Sequence, residues 1–389
     1  MDASAQTAPP PADDVSAAAA EPWSRWQQSV PYTLGVEEEV MLLDPGDWRL
    51  AQRIDDVLPA LSPALAAQVS AETHQAAIEL ATLPHDTVDG AMADLRGLRE
   101  RLAADLVPLG LAPAAAGTHP TTVWEETRVS PSGRHQLIDR TMGELARREP
   151  TFALHVHVGV GGAEDAIRLM NRLRVHLPLL LALSANSPFW QGRDSRLASA
   201  RIPIFAAFPR TGIPRRFRDY ADWRAAVALL IRAGAFPEPT FLWWDVRPQP
   251  RYGTVELRIM DAQTSMLDTA ALCALVQSLA RLELQDGYVS DAACDAGEAL
   301  EENRFLATRD GAEAWLVDAE AAVTRPVWEL VGELLDALRP HAEALGCRAE
   351  LELVPGLVGE QGAARQRAEA ERGGVDAVVP ALAAAFTRG

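Results

Sequence analysis

The chain has 389 residues, 48% hydrophobic and 23% charged, enough to bury a sizeable core in one large or two medium domains. Its 54 acidic residues against 36 basic ones leave a formal charge of −18, which argues against nucleic acid or an anionic membrane surface as the main partner. Every basic side chain is arginine, so nucleotide sites that need a phosphate-binding lysine, the P-loop and protein-kinase types among them, are excluded.

A nucleotide site here must therefore rely on arginines and divalent cations. Cys273, Cys294 and Cys347 are far apart and make no CxxC or Cys/His pattern, as expected of structural thiols in a reduced, cytoplasmic chain. Residues 1–28 are rich in Ala and Pro and lack both a positive leading segment and a continuous apolar run. They read as a disordered tail rather than a signal peptide. The apolar run at 177–185 is too short to span a bilayer and contains Pro178.

In chain order, a strand is expected over 32–44, ended by the turn residues Pro45, Gly46 and Asp47. A second extended region runs over 69–82, closed by Pro84. Val88, Met92, Leu95, Leu98, Leu102 and Leu106 recur at helical spacing. Another helix is expected over 135–148, a strand over 151–160, and a helix from 163 to about 185. Residues 186–217 have no clear period and are rich in Pro, Arg, Gly and aromatics; a loop that long with that content favours a functional role. Strands follow at 241–247 and 252–261, and from 267 onward the chain reads as mostly helical. Strands scattered among helices without βαβ alternation indicate an α+β fold with a largely antiparallel sheet. Residues 29–389 are expected to form one domain whose part from about 265 is mostly helical.

Residues two apart on a strand share a face. Glu37 and Glu39 thus lie together, opposite Val36 and Val40; His155 and His157 lie together, opposite Leu154, Val156 and Val158; Glu256 and Arg258 lie together, opposite three aliphatics. Each strand would bury one side and present ligands for a cation or a phosphate on the other. Carboxylates suit Mg²⁺ or Mn²⁺, with an imidazole able to join, and Arg258 suits phosphate oxygens. Glu79, between aliphatic neighbours, adds a further carboxylate. Such a cluster repels itself unless cations occupy it. A lone ExE pair is usually a solvated strand edge, and a lone HxH is equally weak. What carries weight is that three strands alternate in the same way. Glu38 is the exception: parity sends it to the apolar face, so either a bulge re-aims it or an arginine pairs with it.

The segments Thr33-Leu34-Gly35-Val36-Glu37-Glu38-Glu39, Ala77-Ile78-Glu79-Leu80, His155-Val156-His157-Val158-Gly159, Asn186-Ser187-Pro188-Phe189-Trp190-Gln191-Gly192 and Thr254-Val255-Glu256-Leu257-Arg258 resemble, in content and order, carboxylate–amine ligases of the glutamate–cysteine ligase type 2 family. The resemblance runs from about residue 32 to beyond 261. It implies a glutamine synthetase-like catalytic domain: a curved, largely antiparallel sheet with helices on its convex side and ATP and Mg²⁺ on its concave face. It implies that Glu37 holds one metal with His155 and Glu256, that Glu39 and Glu79 hold a second, and that Glu72 assists. Glu72 lies an odd number of residues from Glu79, so a bulge or turn must intervene. By the same resemblance His157 faces the substrate, Arg258 stabilises the transferring phosphoryl group, and Glu256 belongs to the catalytic set. Asn186, Arg201 and Arg247 match family positions expected to bind substrate; for Arg201 a plain surface role is the competing reading, and for Trp243 or Trp244 simple packing. Ser195-Arg196 stand where a Thr-Gly pair is common.

The activity implied is ATP-dependent joining of a carboxylate to an amine through an acyl phosphate, with amino-acid substrates and, by resemblance alone, a homodimer. Two other classes compete: a metal-dependent hydrolase using the His/Glu cluster on water, and an idle binding protein that retains the fold.

Overall fold

A computed structural model describes residues 21–148 and 150–388. Its centre is a seven-stranded sheet whose strands are β1 (Leu34–Leu43), β2 (Val69–Ala71), β3 (Ala77–Ala81), β4 (Ala112–Ala114), β5 (Ala153–Gly159), β6 (Val246–Gln249) and β7 (Thr254–Asp261). The order is β6-β7-β5-β1-β3-β2, with β4 beside the far end of β1. Every pairing in it is antiparallel, as expected for strands not joined by regular crossovers.

One face of the sheet is apolar because Val36, Val40, Ile78, Leu80, Leu154, Val156, Val158, Val255 and Leu257 alternate onto it, all buried. Three helices cover that face: α1 (Val88–Leu106), α2 (Ala163–Ser184) and α3 (Met266–Gln285). Thr87 caps α1 by accepting from the Gly90 amide, and Ser265 caps α3 through the Leu267 amide. Sixteen of the 22 residues of α2 are buried, so this helix is apolar nearly all round and forms the middle of the core.

The structure differs from expectation in several places. The extended region 69–82 is two strands, β2 and β3, which pair antiparallel with Ser70 opposite Glu79. The helix expected over 135–148 ends at Met142, where Gly143 takes a φ of 59°, and continues only as a 3₁₀ stretch, Gly143–Arg147. The loop 186–217 contains a short helix, Arg201–Phe205. The C-terminal part is helical apart from a hairpin, Trp315–Asp318 with Val323–Pro326. The expected tail is ordered at its end: Trp23 stacks edge-on against Trp223, Trp26 Nε1 donates to Val160 O at 3.2 Å, and Gln27 N donates to Pro250 O. The rest of it, residues 1–20, lies outside the described residues. No described helix is long and apolar enough to cross a membrane.

Candidate active site

Cross-strand register builds the polar face row by row. Arg247 sits opposite Glu256, and Glu256 opposite His157, which faces Gly35. The next row places His155 opposite Glu37, and the next Glu39 opposite Glu79, with Ser70 beyond. Like charges directly across an antiparallel pair repel, so Glu39 and Glu79 need a proton or a cation between them. Glu72 lies just past β2, in the turn before β3, and that turn resolves the parity problem: its carboxylate joins those of Glu39 and Glu79.

Glu37 is the hub. His155 Nδ1 and His157 Nε2 each lie 3.3 Å from one of its oxygens. His155 also approaches Glu39 at 3.7 Å and Glu79 at 3.9 Å, and His157 approaches Glu256 at 3.9 Å. Donor atoms converge in three groups: Glu37 with His157 and Glu256; Glu37 with Glu79 and His155; Glu39 with Glu72 and Glu79. The expected grouping of Glu37, His155 and Glu256 is thus altered. The residue that meets Glu37 and Glu256 is His157, because it sits directly opposite Glu256 in the β5–β7 register.

Titration follows from this crowding. Burial raises the Glu39 carboxyl to about 8, with the nearby Glu72 charge adding to it. Glu72 is raised by burial too, and Glu79 strongly so by burial and by the charges of Glu37, Glu72 and Glu39. Burial opposes ionisation of Glu37 as well, but the nearby His157 charge and the hydrogen bond with His155 outweigh it and hold Glu37 well below the usual range. Burial brings His155 down to about 4, and it is neutral at pH 7.

The arginines divide by what their nitrogens already do. Arg247 is saturated: Nε and Nη2 grip the two Glu256 oxygens at 2.7 and 3.0 Å, and Nη1 donates to the carbonyls of Thr240 and Leu242. These contacts hold Glu256 and leave Arg247 outside the pocket lined by Arg201 and Arg258. Gln249 Nε2 and Arg258 Nη1 add two further donors to Glu256, each at 2.5 Å, so that carboxylate is fully engaged within the protein. Arg258 keeps a buried Nε with no partner among the described residues. Arg201 is buried rather than on the surface; it donates to Ile259 O and Arg258 O and likewise keeps an unpartnered Nε. Both arginines line a pocket with Glu39, Glu72, His74, Phe205, Phe208 and Trp243. Asn186, expected to bind substrate, has its side chain consumed inside the fold: Nδ2 donates to Ala262 O and Thr264 Oγ1, and Oδ1 accepts from Gln366.

Asp261 escaped the sequence reading. Strict alternation from Leu257 assigns it to the apolar face, but the β5–β7 register shifts between Leu257 and Met260. Two residues of β7 there oppose one of β5, as in a β-bulge, and this returns Asp261 to the polar side, where it meets Arg201 Nη1 at 3.8 Å.

The donor set fits divalent cations. It offers hard carboxylate oxygens and, at His155, a neutral imidazole, and both His155 Nε2 and His157 Nε2 are buried with no hydrogen-bond partner among the described residues. Thr254 Oγ1, 2.9 Å from His157 Nδ1, fixes that ring so that Nε2 faces the carboxylates.

The chain is similar to known proteins over most of its length. The family described as Glutamate-cysteine ligase family 2 (GCS2) matches residues 33–381. A provisionally named glutamate–cysteine ligase 2-1 of Rubrobacter xylanophilus is 40% identical over 344 residues, 88% of this chain and 91% of that protein. A second from the same organism, 2-3, is 41% identical over 373 residues, 93% and 99%. Among solved structures, the glutamate–cysteine ligase of Francisella tularensis in complex with AMP superimposes with a TM-score of 0.67 at 13% identity, over 93% of this chain and 89% of that one. The bifunctional glutathione synthetase of Pasteurella multocida gives 0.68 at 14% identity, over 91% and 52%. At those identities the structural likeness is one of fold.

Proposed function

The chain belongs to the glutamate–cysteine ligase family 2 and is an ATP-dependent carboxylate–amine ligase, and from that premise we propose that the polar face of β1, β3, β5 and β7 is its active site, joining glutamate to cysteine. The observation that carries this reading is the convergence of three donor groups on one face, two of them sharing Glu37.

Glu37, Glu39, Glu72, Glu79, His155 and His157 would hold Mg²⁺ or Mn²⁺. Those ions would neutralise the triphosphate and supply electrostatic stabilisation as the phosphoryl group moves. A cation that drew on Glu256 would have to displace Gln249 or Arg258 from it. In the reaction a carboxylate oxygen of glutamate attacks the γ-phosphorus of ATP and ADP leaves. The amine then attacks the acyl carbon, phosphate departs, and the amine loses a proton. Arg258, held by Glu256 and aimed with a free Nε, stabilises the transferring group and does the work a lysine does elsewhere. Arg201 takes a carboxylate of the substrate. The AMP of the Francisella enzyme supports nucleotide binding in this fold, and the carboxylate-rich pocket beside two arginines supports a small amino-acid substrate.

The hydrolase reading finds no support in the relatives. Incubation with ATP, Mg²⁺, glutamate and cysteine, followed by mass spectrometry and ADP measurement, tests the proposal. A γ-glutamyl dipeptide whose formation needs all four components is expected. ADP release that needs neither amino acid, or turnover that needs metal but no ATP, would overturn it.

A further inference from the structure

Arg201 can select a carboxylate only if something fixes its guanidinium, and the bulge in β7 supplies the candidate. We propose that Asp261 is the positioning residue for Arg201, controlling both its backbone and its side chain, and so determines how tightly the carboxylate substrate binds. This rests on the reading of Arg201 as a substrate-binding group.

The contacts are specific. Asp261 Oδ2 accepts from Ser187 Oγ at 2.6 Å and from the Asn186 amide at 2.9 Å, and Oδ1 accepts from Ser199 Oγ at 2.9 Å. Ser187 Oγ in turn accepts from the Arg201 amide at 3.2 Å, so one hydroxyl links the carboxylate to the first turn of the short helix that carries Arg201 and Phe205. The same carboxylate lies 3.8 Å from Arg201 Nη1. The carbonyls that accept from Nη1 and Nη2 belong to Ile259 and Arg258, the two residues at the bulge. With those nitrogens occupied, Nε remains without a partner among the described residues, on a side chain that lines the pocket with Glu39 and Arg258.

The room for Asp261 is also built in. A Cβ on Gly117 would sit 2.6 Å from the Asp261 carboxyl carbon and from Oδ2, far inside contact distance, so any side chain at 117 must displace the carboxylate. Asp261 is fully buried, and a buried carboxylate is tolerated where hydrogen bonds and a counter-charge satisfy it. Ser187, Ser199, Asn186 and Arg201 meet that condition, from a loop that otherwise has little regular structure.

The test is steady-state kinetics of the full chain with ATP, glutamate and cysteine, comparing Arg201→Ala, Asp261→Asn and the double variant. Each single change is expected to raise the KM for glutamate by about tenfold, with kcat within about threefold. The double variant should be no worse than Arg201→Ala alone, since coupled residues do not add. An unchanged KM in Asp261→Asn, or additive effects in the double variant, overturns the proposal while leaving the Arg201 reading intact. An unchanged KM in Arg201→Ala overturns that reading and the proposal with it. Should Asp261→Asn fail to fold, Ser199→Ala removes one hydrogen bond to the carboxylate and keeps its charge. A KM raised by about threefold at near-native melting temperature supports the proposal, and a KM equal to the wild type sinks it.

Discussion

Arg99 of α1 holds Glu38 of β1 on the apolar side of the sheet, Nε donating to Oε2 at 2.8 Å and Nη2 to Oε1. Both side chains are buried. The other arginine donors reach the carbonyls of Gln263, Thr264 and Phe386, so this one pair ties β1, α1, the end of β7 and the C-terminal helix together. Removing one partner strands the other charge in the core, which costs about 3–5 kcal/mol. Arg99→Leu is therefore expected to unfold at clearly lower denaturant than the wild type, while Arg99→Leu with Glu38→Leu recovers part of the loss. A single variant as stable as the wild type would show the pair to be dispensable.

That pair also marks where the sequence stops being readable. Alternation in Val36-Glu37-Glu38-Glu39-Val40 places Glu37 and Glu39 on the polar face and leaves Glu38 needing either a bulge or an arginine. Which arginine depends on α1 crossing β1 some sixty residues later, and no local pattern encodes that. The polar rows were legible because the side-chain period is two on every strand. Asp261 was not, since the bulge shifts parity within its own strand. The difference between His155 and His157 as partner of Glu256 depends on strand register, which periodicity leaves open.

Metal should change how stability depends on pH. Glu39 is raised to about 8, and Glu72 and Glu79 are raised with it. Groups whose folded pKa lies above the unfolded value contribute stability that is complete below the unfolded value, about 4.5, and lost as pH climbs through the folded one. Buried histidines lowered to about 4, His155 among them, work in the opposite direction but only up to their unfolded value of 6.5, so the metal-free protein is expected to melt at progressively lower temperature between pH 7 and pH 8. Adding Mn²⁺ should reverse the trend, because a cation stabilises the ionised carboxylates that pH alone punishes. Scanning calorimetry across that range, with chelator and then with Mn²⁺, checks this; identical slopes in the two series would count against a cation site.

Glu37 and Glu79 each belong to two of the three donor groups, but Glu37 is held well below the usual carboxylate range while Glu79 is raised above it, so neutralising Glu37 removes a charge already in place and should be the more damaging change. Glu37→Gln keeps the shape, removes the charge, and leaves His157 without its closest carboxylate. Ligase turnover is expected to fall by about 10²–10³-fold, in the range seen when a preorganised electrostatic group is lost, and metal affinity measured by calorimetry should fall with it. Turnover within threefold of the wild type would place the metal elsewhere.

Arg247→Lys separates holding Glu256 from binding substrate. Lysine keeps the charge but cannot reproduce the two-pronged grip on both Glu256 oxygens. Glu256 would then rotate and carry Arg258 with it, since Arg258 Nη1 rests on Glu256 Oε1. A drop of about 10–100-fold in kcat is expected, the size typical of an orienting partner removed from behind a working group, with the KM for each amino acid little changed. A large rise in KM at constant kcat would return Arg247 to the substrate-binding role.

Asn186 should behave in the opposite way. Its amide bridges Ala262 and Thr264 on one side and Gln366, from the helix Gly362–Gly373, on the other, while its backbone amide supports Asp261 and survives replacement by alanine. Gly362 packs so closely that a Cβ on it would lie 2.2 Å from Asn186 Oδ1, which leaves no space for a substrate group at that oxygen. Asn186→Ala thus deprives the buried Ala262 and Gln366 and the half-buried Thr264 of hydrogen bonds, at about 1–3 kcal/mol, and the melting temperature should fall by several degrees. The KM for glutamate should stay within about twofold, since no atom of the side chain is free to reach the pocket beside Arg201. A KM rise as large as that of Arg201→Ala, at unchanged melting temperature, would show that the loop opens in solution and presents Asn186 to the substrate after all.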